Sequence, residues 1–429
     1  MGRATVRLPG FGCMVIPMHC LVLSDTFPNR VEPERGPYNR RQMECLSKHC
    51  RLTVINPLPW HQTLPGRRWH ALPPGPHDVL DGIALFHPRL WHVPVLGRNH
   101  SWRAVLAAAR RVLRSASVGA CDVVMATFAY PHGPAAIRLA EELGVPCVLK
   151  VRGSDLHSLP FQSARGRRTA EALAAAAAVV AVSGNLASIA RELGAPADRV
   201  HVLPNGVDVD RFVPVPREDA RRELGVAADW DGIVLFVGSL LPVKRVDVLI
   251  DAMAIRRHEQ PSDRCLLAIA GRGLLRRRLQ RQAARLGVGD AVKLLGHIPQ
   301  QRVALWMNAA DMLVLPSEKE GCPNVVLEAL SCGTPVVASR VGAVPDLLDQ
   351  SCGLVVQPGE AGALALAMRE AAGRRWDRSA LRQRASGMSW DANAARLHSI
   401  LSSVVSAYAA PEGLSAAVDL AEARGHERS

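Results

Sequence analysis

Aromatic side chains are scarce in this 429-residue chain, at 4% of the total, so any core must be built from aliphatic residues and alanine. No run of ~18–20 apolar residues occurs, which excludes a membrane-spanning helix. The apolar stretch Phe11 to Ser24 is short and is interrupted by Pro17 and His19. It reads less well as a signal peptide than as a first β-strand, Met18 to Ser24. The first 13 to 17 residues then form a non-structural extension, with Met14 or Met18 as an alternative start. The ten cysteines, at 13, 20, 45, 50, 121, 147, 265, 322, 332 and 352, include no Cys-x-x-Cys pair. That argues against a disulfide framework and for a reducing compartment. His61, His70, His77 and His87 lack metal-ligand spacing. No G-x-G-x-x-G follows the first strand, which disfavours an NAD-dependent oxidoreductase. Zinc-finger spacing, an aromatic-and-basic RNA signature and a helix-turn-helix pattern are also missing.

What is present is length, apolar content and positive charge. Hydrophobic residues make up 48%, ample for two cores of ~200 residues each. The formal charge is +13. Residues 1–200 carry 24 Lys+Arg and 13 Asp+Glu, a net of +11, and residues 201–429 carry 28 and 26, a net of +2. An anionic membrane surface or a lipid-diphosphate acceptor suits this basic half better than nucleic acid does. A basic surface with no partner is the alternative explanation.

The most informative stretch is Glu320-Gly-Cys-Pro-Asn-Val-Val-Leu-Glu328. Asn324 reads as the N-cap of a short helix and Gly333 as its stop. Glu320 then precedes the helix, and Glu328 lies one turn inside it. The free N–H groups at the start of this helix, in the turn Gly321-Cys322-Pro323-Asn324 where Pro323 itself has none, favour an anion, above all a phosphate. Apolar runs at Asp311–Pro316 and Thr334–Ala338 flank the helix as strands. Ligands in such βαβ units sit at the carboxyl ends of strands. Two hydroxyl-binding acids around a phosphate seat suit a nucleotide sugar. Asp208 and Asp210 have the spacing of a metal-binding pair, but two acids are too few for a divalent site, so no metal is expected.

From Pro316 to Asp346 the sequence resembles glycosyltransferase family 4, and the likeness extends over most of the chain. The family implies two Rossmann-like α/β domains facing a central cleft, the GT-B architecture, and retaining transfer from a nucleotide-diphosphate sugar without a cofactor. By that resemblance Glu320 holds donor-sugar hydroxyls and Glu328 the ribose. Lys244 takes the position of the family's diphosphate-binding lysine. Ser239 stands where the family has an arginine, and Arg245 or Arg272 is the replacement candidate. The loop at His297 touches the base through backbone atoms. In Arg152-Gly-Ser-Asp155 the first residue approaches donor sugar or acceptor, and Arg152 replaces the more usual histidine, with His132 as a substitute. The loop around Gly36, with Arg35, Arg40 and Arg41, faces acceptor or phosphate, and Asp155 belongs to the acceptor side. The turn at Gly271 suits a nucleotide phosphate.

The expected domains are residues 1–212 for the acceptor and 213–389 for the donor. A helix over 390–409 crosses back to the first domain, and 410–429 form a polar tail. Residues 57–100 read as irregular and 213–230 as the linker. Val341–Asp346 and Gly353–Val356 are expected to complete the second sheet. The Asp25-to-Gln42 segment and the Arg-Gly-Ser-Asp loop resemble teichuronic-acid and exopolysaccharide members. The expectation is therefore transfer to a polysaccharide or lipid-linked saccharide in the cytoplasm, at the inner face of the cell membrane. A sugar-nucleotide epimerase of the same architecture would convert donor without acceptor. A basic nucleic-acid-binding protein would instead show salt-steep binding.

Overall fold

The computed structural model describes residues 17–29, 32, 35–60, 78–80, 82–91, 98–115, 118–157, 163–226 and 230–410. The expected extension before residue 17, the tail after 410, and His61, His70 and His77 lie outside these residues. In chain order the strands are β1 His19–Leu23, β2 Arg51–Ile55, β3 Leu58–Pro59, β4 Asp78–Leu80, β5 Ile83–Phe86, β6 Arg89–Leu90, β7 Val123–Ala126 and β8 Cys147–Val151. They continue with β9 Ala178–Ala181, β10 Val200–Val202, β11 Gly232–Val237, β12 Cys265–Ala270, β13 Val292–Gly296, β14 Met312–Leu315, β15 Val336–Ser339 and β16 Gly353–Val356.

Among the described residues two large sheets result. One has eight strands in the order β10-β9-β8-β7-β1-β2-β5-β4, and the other six in the order β13-β12-β11-β14-β15-β16. All the pairings of the second sheet are parallel. In the first, β2, β1, β7 and β8 pair in parallel, as do β2 and β5. Helices cover parallel sheets on both faces, so such strands read as unbroken apolar runs. Accordingly β1, β7, β8, β12, β14 and β15 are buried at every residue. The fold is α/β of the expected GT-B kind. The chain divides into two compact units: residues 1–150, 161–179 and 394–429, and residues 151–160 and 180–393.

Three expectations fail locally. Residues 57–100 are not wholly irregular, because β5 joins the first sheet beside β2 and β4 pairs with it antiparallel. The stretch read as a linker contains a helix, Arg217–Leu224, with Glu218 and Asp219 in its first turn, Arg221 and Arg222 in its last, and Gly225 left-handed at its end. Those charges match the helix dipole. Val341–Asp346 is a turn leading into the short helix Val344–Leu347, not a strand.

Candidate active site

Parallel pairing puts the carboxyl ends of β11, β12, β13, β14 and β15 on one edge of the second sheet, and the loops leaving that edge carry most of the residues singled out above. Lys244 ends the 3-10 turn Pro242–Lys244 after β11. Its Nζ donates to Glu320 Oε1 at 2.6 Å, and Glu320 lies in the loop after β14. Both side chains are mostly buried. Glu328 is 5% exposed on the helix Asn324–Ser331.

Glycines set how closely this loop can be approached. A Cβ on Gly321 would stand 1.9 Å from the Arg152 carbonyl oxygen. One on Gly153, at φ 132°, would stand 2.9 Å from Gly321 Cα, and one on Gly342 2.3 Å from the Glu320 oxygen. Main chain therefore packs directly on main chain, and the Arg152 backbone lies against the Glu320–Gly321 loop. Asp155 is buried and shapes that contact. Its Oδ1 accepts from the Arg152 N–H at 3.0 Å and the Gly153 N–H at 2.8 Å.

Asn324 does not cap its helix. The N-cap is Pro323, without a side-chain hydrogen bond. Asn324 Oδ1 instead accepts from Asn205 Nδ2 at 2.9 Å, and its Nδ2 donates to the Gly206 carbonyl at 3.2 Å. Cys322 joins the same link, its sulfur accepting from the Asn205 N–H at 3.4 Å. Tertiary partners outcompete the cap because the Asn205-Gly206 turn sits against the helix start. Gly333, at φ 73°, does end the region in the left-handed conformation.

Farther along the edge, a Cβ on Gly271 would stand 1.8 Å from the Gly238 oxygen, next to exposed Ser239. The Gly271 N–H donates to Gly296 at 2.7 Å, and exposed His297 follows. Ser239, Gly271 and His297 thus lie at adjacent strand ends. Arg245 has φ 46° and its Nε reaches Asp247 Oδ1 at 3.4 Å. Gly36 and His132 belong to the first unit, in the connections after β1 and β7.

A cavity of about 360 Å3 is lined by His157, Asn185, Glu318, Lys319, Glu320, Arg340 and Gly342, among others. Sequence reasoning found Glu320 but missed Arg340, Lys319, Asn185 and His157. The available signal for Arg340 was its place immediately after β15. Burial lowers the His157 pKa, Asp155 opposes the shift and Lys319 adds to it. Among the described residues, no cluster of three or more His, Cys, Asp or Glu could hold a metal.

Comparison with known proteins identifies the family and the fold. Residues 45–211 fit the model of Glycosyltransferase Family 4, and residues 231–373 that of Glycosyl transferases group 1. The chain is 29% identical over 360 residues to the putative teichuronic acid biosynthesis glycosyltransferase TuaC of Bacillus subtilis, covering 82% of this chain and 88% of that protein. It is 33% identical over 301 residues to a D-inositol 3-phosphate glycosyltransferase of Xylanimonas cellulosilytica, covering 65% and 71%. The sucrose-phosphate synthase of Thermosynechococcus elongatus superposes with a TM-score of 0.74 at 22% identity, over 91% of this chain and 100% of that one. Anabaena HepE in complex with UDP and glucose superposes with a TM-score of 0.62 at 20% identity, over 91% and 99%. The chain belongs to glycosyltransferase family 4 and is a glycosyltransferase.

Proposed function

We propose that this glycosyltransferase moves a sugar, with retention and without a metal, from a nucleotide-diphosphate sugar to a polysaccharide or lipid-linked saccharide. The observation that carries the reading is the Lys244–Glu320 pair at 2.6 Å, joined to the helix that bears buried Glu328. An ammonium has three N–H donors, so Lys244 can keep Glu320 and still meet a phosphate oxygen. As the glycosidic bond breaks, negative charge builds on the β-phosphate. Lys244 and the main-chain N–H groups near Gly321 to Asn324 stabilise that charge in a site already organised for it. Glu320 orients the sugar hydroxyls and Glu328 fixes the ribose, which adds binding more than rate. Arg152 and Asp155 lie beside that loop, and Ser239, Arg245, Gly271 and His297 supply the remaining donor contacts. The acceptor hydroxyl attacks the same face that the phosphate leaves, and its proton passes to the departing phosphate. The UDP complex of HepE and the teichuronic acid role in the TuaC name support the donor and acceptor classes.

A thermal-shift screen of UDP-, GDP- and ADP-sugars tests the donor site. The true donor stabilises the protein in proportion to concentration over affinity, and Glu328→Ala and Lys244→Ala blunt the shift. If no nucleotide sugar stabilises the wild type, the reading fails. Retention requires that product and donor share anomeric configuration by NMR, and metal independence that EDTA leaves the rate unchanged. We further propose cytoplasmic, peripheral association with an anionic membrane. The net charge of +11 over residues 1–200 supports it, and co-sedimentation with anionic but not neutral vesicles checks it. Among the described residues, no helix is long and apolar enough to cross a membrane.

A further inference from the structure

Among the described polar atoms of the first unit that are buried without a hydrogen-bond partner, two sit at neighbouring strand ends: Asp25 Oδ1 and His132 Nδ1. Asp25 follows β1 by two residues. His132 opens the helix His132–Leu143 that follows β7. These strands are parallel neighbours, with Leu23 opposite Ala126. Their connections are tied at the root, since Thr127 Oγ1 donates to Ser24 Oγ at 2.9 Å and the Thr127 N–H to the Leu23 carbonyl at 3.1 Å. The loop carrying Asp25 is fixed from its other side. Asn39 Nδ2 donates to the Thr26 carbonyl at 3.0 Å, and a Cβ on Gly36 would stand 2.2 Å from that same oxygen.

His132 is 2% exposed. Burial lowers its pKa, and Asp25 is the charge that opposes the shift, so the carboxylate acts on the ring. A buried polar atom left unpaired by the protein calls for a partner from outside it. A carboxylate oxygen accepts only, while Nδ1 of a neutral ring donates in one of its two tautomers. A single alcohol group satisfies both: its O–H donates to Asp25 and its oxygen accepts from His132. A phosphate ester has no proton to offer Asp25 at neutral pH and would be repelled by it.

We propose that Asp25 and His132 form a clamp for one ring hydroxyl of an uncharged sugar in the saccharide acceptor. The inference rests on the glycosyl-transfer reading above and names the acceptor group recognised by the first unit. The test uses the full chain and methyl glycosides of glucose, galactose, mannose and N-acetylglucosamine as probes, with affinities from ligand-observed NMR. At least one glycoside binds the wild type, and Asp25→Ala and His132→Gln weaken it about tenfold or more, the effect of an unpaired buried partner. His132→Asn, which keeps a polar atom near the Nδ1 position, retains affinity within about threefold on the same reasoning. Thermal unfolding of each variant shows that it is folded, and the nucleotide-sugar shift stays at its wild-type size. Binding of no glycoside by the wild type overturns the clamp, as does unchanged affinity in folded Asp25→Ala and His132→Gln, which would leave a structural water between the two atoms. Loss of every nucleotide-sugar shift in the wild type would instead sink the glycosyl-donor reading.

Discussion

At the scale of single residues, two backbone positions make opposite demands. Among the described residues, Arg245 is the non-glycine residue with positive φ, at 46°. A left-handed L-residue costs roughly 1–2 kcal/mol, and its part-exposed pair with Asp247 returns little. Arg245→Gly removes that strain but adds chain entropy to the unfolded state, about 0.5–1 kcal/mol. The expected net is a gain of roughly 0.5 kcal/mol, seen as a Tm higher by about 1–2 °C. A fall in Tm would mean that the side chain, not the strain, dominates there. Gly321 is the reverse case. A methyl group 1.9 Å from the Arg152 oxygen cannot fit unless one loop moves. Gly321→Ala should therefore lower stability by about 1–3 kcal/mol and abolish the nucleotide-sugar thermal shift. A folded variant with an intact shift would show that this contact is not needed. The sequence singled out Arg245 as a candidate replacement for the arginine missing at Ser239, but no one-dimensional pattern carries its φ.

At the scale of elements, the loop Arg152–Asp155 shows how a carboxylate holds a site together. Asp155→Ala leaves the Arg152 and Gly153 N–H groups without the oxygen they now share. Two such orphans cost about 1–3 kcal/mol in denaturant unfolding, and Asp155→Asn costs less because an amide oxygen remains. Equal stability of the alanine variant and the wild type would contradict this role. The strands were the most legible elements, since burial on both faces of a parallel sheet writes itself as continuous apolar runs. The misses share a cause, competition between weak local signals and tertiary partners. Apart from Ala220 and Leu224, every residue of Arg217–Leu224 is charged, so no apolar period announces that helix. What anchors it is distant, with Arg221 Nη2 donating to Asp311 at 2.9 Å. Ile83–Phe86 is four residues among prolines and histidines and becomes a strand because β2 offers an edge. Asn324 had cap chemistry, yet the Asn205-Gly206 turn claims its side chain. The charged pair Lys244–Glu320 was legible as two site candidates, but their direct contact was not, because 76 residues separate them.

At the scale of the whole molecule, acid sensitivity is unevenly distributed. Burial lowers the pKa of His19, His132 and His398 in the first unit and of His157 in the second. Around His19 the Ala120 carbonyl and Asp122 oppose the shift and Arg51 adds to it, while His49, stacked at 5.5 Å, adds to that of His398. A histidine with a folded pKa below its unfolded value of 6.5 is neutral in both states at higher pH, so its contribution is complete there. As pH falls through 6.5 the unfolded chain takes up the proton first, and stability declines until the folded pKa is passed. Few other side chains change charge between pH 5 and 6.5, so this window reports histidines rather than carboxylates. Because, among the described residues, the first unit holds three of the four depressed histidines, it should loosen first. Hydrogen exchange at pH 5 compared with pH 7 should show protection falling in β1, β2 and β7 before it falls in β11, β12 and β14. Replacing His19 by glutamine should shallow the acid slope. A Tm independent of pH across this window, or earlier loss of protection in the second unit, would show that these rings become charged without opening the core.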